Sequence, residues 1–144
     1  MSSPSSEKPL PLPCIRTRIK ICGLTREQDV DAAVAAGADA IGFVLYAPSP
    51  RAVTPQRAAE LAARLPPFVT PVLLFVNESA SNIIAASALL AGATIQFHGD
   101  ETPAECLGSA LGGARPFLRA ARIPLGDGAA RFDLVKYAHD YSKA

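Results

Sequence analysis

Arg18-Ile19-Lys20-Ile21-Cys22-Gly23-Leu24-Thr25 sets a short β-branched run directly before a glycine and a threonine. Residues 19–22 have the composition of a strand, and Gly23 ends it. Thr25 with Gln28 has the form of a capping box, which predicts a helix over about 26–36, stopped by Gly37. One strand, one tight turn and one helix make a βα unit, and repetition of that unit decides the fold class.

Outward from this stretch the unit recurs. Residues 40–45 form a second apolar run, followed by the loop Ala47-Pro48-Ser49-Pro50-Arg51. Thr54-Pro55 supplies an N-cap and a proline at the first helical position. Ala58, Leu61, Ala62 and Leu65 then repeat at helical spacing until Pro66-Pro67. A third strand is predicted over 72–76, a turn over 77–81 and a helix over 80–91, closed by Gly92. A fourth strand, 94–97, precedes Thr102-Pro103-Ala104-Glu105, which combines an N-cap, a first-turn proline and a capping-box glutamate. Gly112-Gly113 breaks that helix, and residues 117–123 and 129–141 read as a fifth strand and a fifth helix. Strand starts recur at roughly 22-residue intervals, with an insertion in the second unit, and the strands are nearly continuously apolar. That pattern implies a parallel sheet covered by helices. An open doubly wound sheet and a (β/α)8 barrel both satisfy it.

The bulk composition narrows the function classes. With 144 residues, 49% apolar and 19% charged, the chain reads as one globular domain, 15–144, behind a Ser- and Pro-rich tail, 1–14. A net charge of +1 without a basic run argues against nucleic acid and anionic membranes as partners. No long apolar run suggests a signal peptide or membrane span. Cys14, Cys22 and Cys106 have neither disulfide-framework nor zinc spacing, which fits a reducing cytoplasm and no metal site. GxGxxG, Walker and GxSxG motifs are missing and the glycines form no phosphate cradle, so cofactor-free chemistry is the inference.

Three residues carry candidate chemistry. Cys22 closes the first strand, at the end where parallel α/β folds place their sites. The helix dipole and a cation such as Lys20 or Arg26 would favour its thiolate; an inert buried thiol is the plainer reading. Arg51, in the loop after the second strand, offers a planar donor pair for a carboxylate or phosphate, or is a solvated surface residue. His98 ends the fourth strand and could bond a substrate, or simply pack. Asp100 and Glu101 read as first-turn partners of the next helix dipole. Cys106, within a helix, reads as structural.

Taken in order, these stretches resemble phosphoribosylanthranilate isomerase, an enzyme family of tryptophan biosynthesis. The resemblance rests on Arg18–Thr25, Gly37-Ala38-Asp39-Ala40-Ile41-Gly42-Phe43-Val44, Leu65-Pro66-Pro67-Phe68-Val69 and Gln96-Phe97-His98-Gly99-Asp100-Glu101, with Ser49-Pro50-Arg51 and Phe75-Val76-Asn77 in support. It implies a (β/α)8 TIM barrel, of which about five of eight βα units are present. It further implies an Amadori rearrangement of N-(5-phosphoribosyl)anthranilate to 1-(2-carboxyphenylamino)-1-deoxyribulose 5-phosphate. Cys22 would be the base at ribose C2, Arg51 would hold the anthranilate carboxylate, and His98 would line the pocket. Two departures stand out. Ala52 replaces the family's usual aromatic residue after the arginine. The family's general acid, an aspartate ending strand six, and its phosphate-binding glycine loops have no counterpart; Asp127, Asp133 and Asp140 do not match the acid. With strand edges open and inner faces uncovered, the 144 residues are expected to self-associate, aggregate or stay partly molten, and not to turn over. The alternative reading is a non-catalytic fragment serving as a binding or assembly module.

Overall fold

Strands and helices alternate along the chain as the apolar runs and caps predict. A computed structural model describes residues 16–144; the expected tail, with Cys14, lies outside them. The strands are β1 (Lys20–Cys22), β2 (Ala40–Val44), β3 (Thr70–Phe75), β4 (Thr94–Phe97) and β5 (Phe117–Arg119). The helices are α1 (Glu27–Ala35), α2 (Pro55–Ala62), α3 (Ala80–Ala88), α4 (Pro103–Ser109) and α5 (Leu134–Asp140), with short 3-10 turns at Leu111–Gly113 and Gly126–Arg131. All neighbouring strands pair parallel, in the order β1-β2-β3-β4-β5. A doubly wound sheet reverses its strand order at a switch point, and this order never reverses. Right-handed crossovers in one unbroken direction put every helix on one side of the sheet. The result is an arc of a (β/α)8 barrel.

Local chemistry explains most element boundaries. Thr54 accepts from the Arg57 amide at 3.1 Å with Pro55 behind it, and Ser79 caps α3 through Asn82. At α4 both halves of the capping box form, Thr102 with the Glu105 amide and Glu105 with the Thr102 amide. Three expectations need correction. The Thr25–Gln28 box does not form: α1 begins later, Arg26 occupies the N-cap without a side-chain bond, and an Arg26–Asp29 ion pair at 2.7 Å braces the first turn instead. The fifth strand ends at Arg119 rather than Ile123. Its only partner among the described residues, β4, stops at Phe97, so the Ala120 amide makes the last ladder-like bond, to the Phe97 carbonyl at 3.0 Å. The fifth helix is two pieces: Gly126 takes φ +66° within a 3-10 turn, and Asp133 then caps α5 by accepting from the Lys136 amide at 2.8 Å.

Strand alternation separates two faces. Ile41, Phe43, Leu73, Phe75, Ile95, Phe97 and Phe117 point to the helices and meet Val30, Leu61, Ile83 and Cys106 in one core. Phe97 and Phe117 meet edge to face, 5.6 Å between centroids at 78°. The opposite, concave face carries Lys20 and Cys22 on β1, Gly42 and Val44 on β2, Val72 and Leu74 on β3, Gln96 on β4 and Leu118 on β5. The expectation of an uncovered inner face holds only at the rim. Val44, Val72 and Leu74 on the inner strands β2 and β3 are buried, whereas Leu118 on the edge strand β5 is 44% exposed.

The amino-terminal end of β1 is tied down by Asp39, which accepts from the Ile19 amide at 2.8 Å and pairs with Arg16. Arg16, then the Ile19 amide, hold the Asp39 carboxyl well below the ordinary range, at about 2. A depressed folded-state value means that the clamp stabilises the fold above the ordinary carboxylate range and is lost as pH falls toward about 2. The Ile19 amide resonance is therefore expected to titrate with a midpoint near about 2, and the step should vanish in Asp39→Asn.

Candidate active site

The carboxyl ends of β1, β2 and β4 bring the three candidate residues to one rim. Cys22 ends β1 half-buried on the concave face. Gly23 follows with φ +84°, and its amide donates to the Gly42 carbonyl at 2.7 Å, turning the chain sharply off the strand. Arg51 folds back into the space Gly23 leaves: its Nη1 donates to the Cys22 carbonyl at 2.9 Å. A Cβ on Gly23 would sit 2.4 Å from that nitrogen. The loop bearing Arg51 is pinned by the Arg51 amide on Ser49 Oγ at 3.2 Å and the Val53 amide on the Val44 carbonyl at 2.9 Å. Gly23→Ala therefore meets both a left-handed backbone and a collision with Arg51. It should expel the guanidinium, visible in a crystal structure as loss of the Arg51–Cys22 hydrogen bond.

Of the two cations expected near the thiol, the structure supplies one. Arg26 turns to Asp29. Lys20, two residues before Cys22, lies on the same face, and both side chains lean over Gly42. His98, just past β4, donates its amide to the Phe75 carbonyl at 3.0 Å, while its Nδ1 lies 3.4 Å from Gln96 Nε2. Burial first, then the charges of Arg122, Arg119 and Lys20, push the imidazole below its ordinary range, against an opposing pull from Glu101. His98 is thus a neutral ring near pH 7, able to donate or accept one hydrogen bond.

Sequence reasoning missed what holds this rim. Glu101 does not serve the α4 dipole from solvent; it is buried against Arg119, 2.8 Å from its Nη1. The same carboxylate accepts from the Asn77 amide at 2.7 Å and the Gly99 amide at 2.9 Å, and Arg119 also donates to the Gly99 carbonyl. Asn77, at φ +50°, returns its side-chain oxygen to the Asp100 amide. Tyr141 donates to the Glu101 carbonyl at 2.7 Å, and its ring lies 5.0 Å from the Arg119 guanidinium, docking α5 on the cluster. The loops after β3 and β4 are therefore one unit. The only advance signal was a pair of arginines, Arg119 and Arg122, inside an otherwise apolar strand run.

The remaining candidates fall outside the rim. Cys106 is fully buried on the core face of α4, and burial pushes its thiol up to about 11, an inert group. Asp133 caps α5, Asp140 pairs with Lys136, and Asp127 lies in a 3-10 turn, so none lies on a strand of the sheet. A cleft of about 740 Å³ opens between α2 and α3, lined by Val53, Phe75 and Leu89 with Gln56, Glu78 and Asn82, and contains none of the three candidates. Ala52 borders this cleft. Among the described residues no cluster of His, Cys, Asp or Glu is arranged for a metal ion, and no helix is long and apolar enough to cross a membrane.

A thiol, a guanidinium and an imidazole on the carboxyl rim of a barrel arc can be set beside known proteins. Residues 19–133 match the family model of N-(5'-phosphoribosyl)anthranilate (PRA) isomerase. The chain belongs to the PRA isomerase family. The PRA isomerase of Methylibium petroleiphilum is 60% identical over 130 residues, covering 90% of this chain and 57% of the relative. That of Dechloromonas aromatica is 58% identical, covering 90% and 58%. The chain thus spans less than two thirds of the length of these PRA isomerases. Among solved structures, PRA isomerase in complex with reduced 1-(o-carboxyphenylamino)-1-deoxyribulose 5-phosphate aligns with TM-score 0.75 at 32% identity, covering 86% of this chain and 62% of the other. The Thermotoga maritima PRA isomerase aligns with TM-score 0.74 at 32% identity, covering 86% and 58%. These neighbours support the barrel reading.

Proposed function

We propose that this chain carries the base and the carboxylate clamp of a PRA isomerase acting in tryptophan biosynthesis. The observation that carries the reading is the Cys22 thiol on the concave face, with the Arg51 guanidinium donating to the Cys22 carbonyl. In the Amadori rearrangement an acid protonates the furanose ring oxygen of N-(5-phosphoribosyl)anthranilate, and the ring opens to an iminium. The Cys22 thiolate takes the C2 proton, the C2–H pair becomes a C1–C2 double bond, and the iminium nitrogen recovers its electrons. The resulting enolamine gains a proton at C1 while its C2 hydroxyl gives one up, and becomes the ketone product. Arg51 holds the anthranilate carboxylate through paired hydrogen bonds. Neutral His98 lines the pocket. Lys20, Arg51 and Arg122, which donates to the His98 carbonyl at 2.9 Å, give the rim the positive character that a carboxylate- and phosphate-bearing substrate requires. The reaction needs no cofactor or metal, and the enzyme would work in the cytoplasm.

The acid is the missing partner. No strand residue on the concave face among those described is acidic. We therefore expect turnover only when residues beyond these 144 supply an acid and the phosphate-binding loops. A second reading, an assembly module, draws on the same arc: β1 and β5 each have one unpaired edge among the described residues, flanked by half-exposed Ile21 and Leu118, which suits self-association or pairing with another chain. Isomerisation assays on the chain with and without a polypeptide bearing barrel units six to eight separate the readings. Turnover on addition supports the enzyme, and tight pairing without turnover supports the module.

A further inference from the structure

The concave face holds one contact that the proposed mechanism does not use. Lys20 and Cys22 are two residues apart on β1, so their side chains rise on the same side, and the residue in register with Cys22 on β2 is Gly42. A Cβ built on Gly42 would lie 2.7 Å from Cys22 Sγ, 2.9 Å from Lys20 Nζ and 3.2 Å from Cys22 Cα. Both side-chain ends therefore converge on the one point that a side chain at position 42 would occupy. They lie no more than about 6 Å apart, a range at which an ammonium favours a thiolate.

Lysine ends normally reach for water. Here the side chain is half-buried, and among the described residues it has no carboxylate partner. The other charged and titratable groups turned toward this space are Arg51, held on the Cys22 carbonyl, and His98, whose imidazole feels the Lys20 charge; Arg122 stands behind His98. All are basic, so a thiolate would be the one anion that the strands offer Lys20. We propose that Lys20 is the charged partner of the Cys22 thiolate, and that Gly42, by lacking a side chain, makes the space in which they meet. The inference rests on the reading of Cys22 as the base: Lys20 holds the reactive form ready before substrate arrives. Lys20 and Gly42 are positioning residues in this scheme, since neither touches the reacting atoms.

The test reads the thiol directly and needs no turnover. Alkylation of Cys22 by neutral iodoacetamide is followed by peptide mass spectrometry at pH 7 and pH 10 in the parent chain and in Lys20→Met, Lys20→Arg and Gly42→Ala. Lys20→Met is expected to slow Cys22 alkylation about tenfold at pH 7, the effect of one opposite charge at this range. Near pH 10, where an ordinary thiol is already ionised, its rate should match the parent within about twofold. Lys20→Arg should restore the pH 7 rate to within about threefold, and Gly42→Ala should reproduce the Lys20→Met change in the ratio of the two rates. A Lys20→Met ratio equal to the parent's overturns the proposal, as does a loss of equal size at both pH values, which would mean altered access. If the ratio changes as expected but Cys22→Ser protein assembled with barrel units six to eight still isomerises its substrate, the pair stands and the base assignment fails.

Discussion

Replacing Cys22 with serine is expected to lower kcat for PRA isomerisation by about two to four orders of magnitude, the range spanned by loss of a positioned general base. The assay is run on the chain assembled with the units that supply the acid and phosphate loops. A serine hydroxyl fills nearly the same space but is hardly ionised near pH 7, so it cannot take the C2 proton. KM should change little, because Arg51 reaches the rim from its own loop and is held by the residue 22 carbonyl, which serine retains. A fall in kcat with KM unchanged marks an interaction made only in the transition state. Retention of a tenth or more of the parent rate would assign the proton transfer to another group.

Glu101→Ala is expected to be the most damaging single substitution for the fold, costing about 3–5 kcal/mol. The side chains of Glu101 and Arg119 are only 5% and 6% exposed. Removing the carboxylate strands the buried guanidinium and leaves the Asn77 and Gly99 amides without their acceptor. Total stabilities of single domains run only about 5–15 kcal/mol, so the urea midpoint should fall by about a fifth or more. Because a buried pair can often be replaced by apolar residues at little cost, Glu101→Leu with Arg119→Met should recover much of the loss. A Glu101→Ala loss below about 1 kcal/mol would mean that the cluster does not hold the two loops together.

The expected acid sensitivity of the Asp39 clamp and the expected displacement of Arg51 by Gly23→Ala test two other joints of the same arc.

The βα rhythm was legible because it rests on local chemistry. The bounds of β4 and the capping box of α4 follow from a β-branched start and a Thr-Pro-Ala-Glu turn, and both form as read. Thr25 misled because a capping motif competes with whatever else the first turn can do, and Arg26 with Asp29 prevailed. Residues 117–123 kept their strand composition while their partner strand ran out, a fact of pairing rather than of propensity. The choice between barrel and doubly wound sheet was invisible to periodicity, since both repeat the same unit; the unreversed strand order made it. At the site, the position of Cys22 could be read from the end of its strand. Gly42 could not, because a strand glycine reads only as a weak strand residue until the register sets it opposite Cys22. Glu101 and Arg119 are eighteen residues apart, and only the parallel pairing of β4 with β5 brings them together.

The central claim is that these residues supply the base and the carboxylate clamp of a PRA isomerase but not its acid. Its most direct test is the isomerisation rate of N-(5-phosphoribosyl)anthranilate with the purified 144-residue chain, before and after adding a polypeptide that carries barrel units six to eight. The account predicts no measurable turnover before addition, and turnover afterwards that disappears with Cys22→Ser. Turnover by the chain alone, or an assembled protein whose rate is indifferent to Cys22, would contradict it.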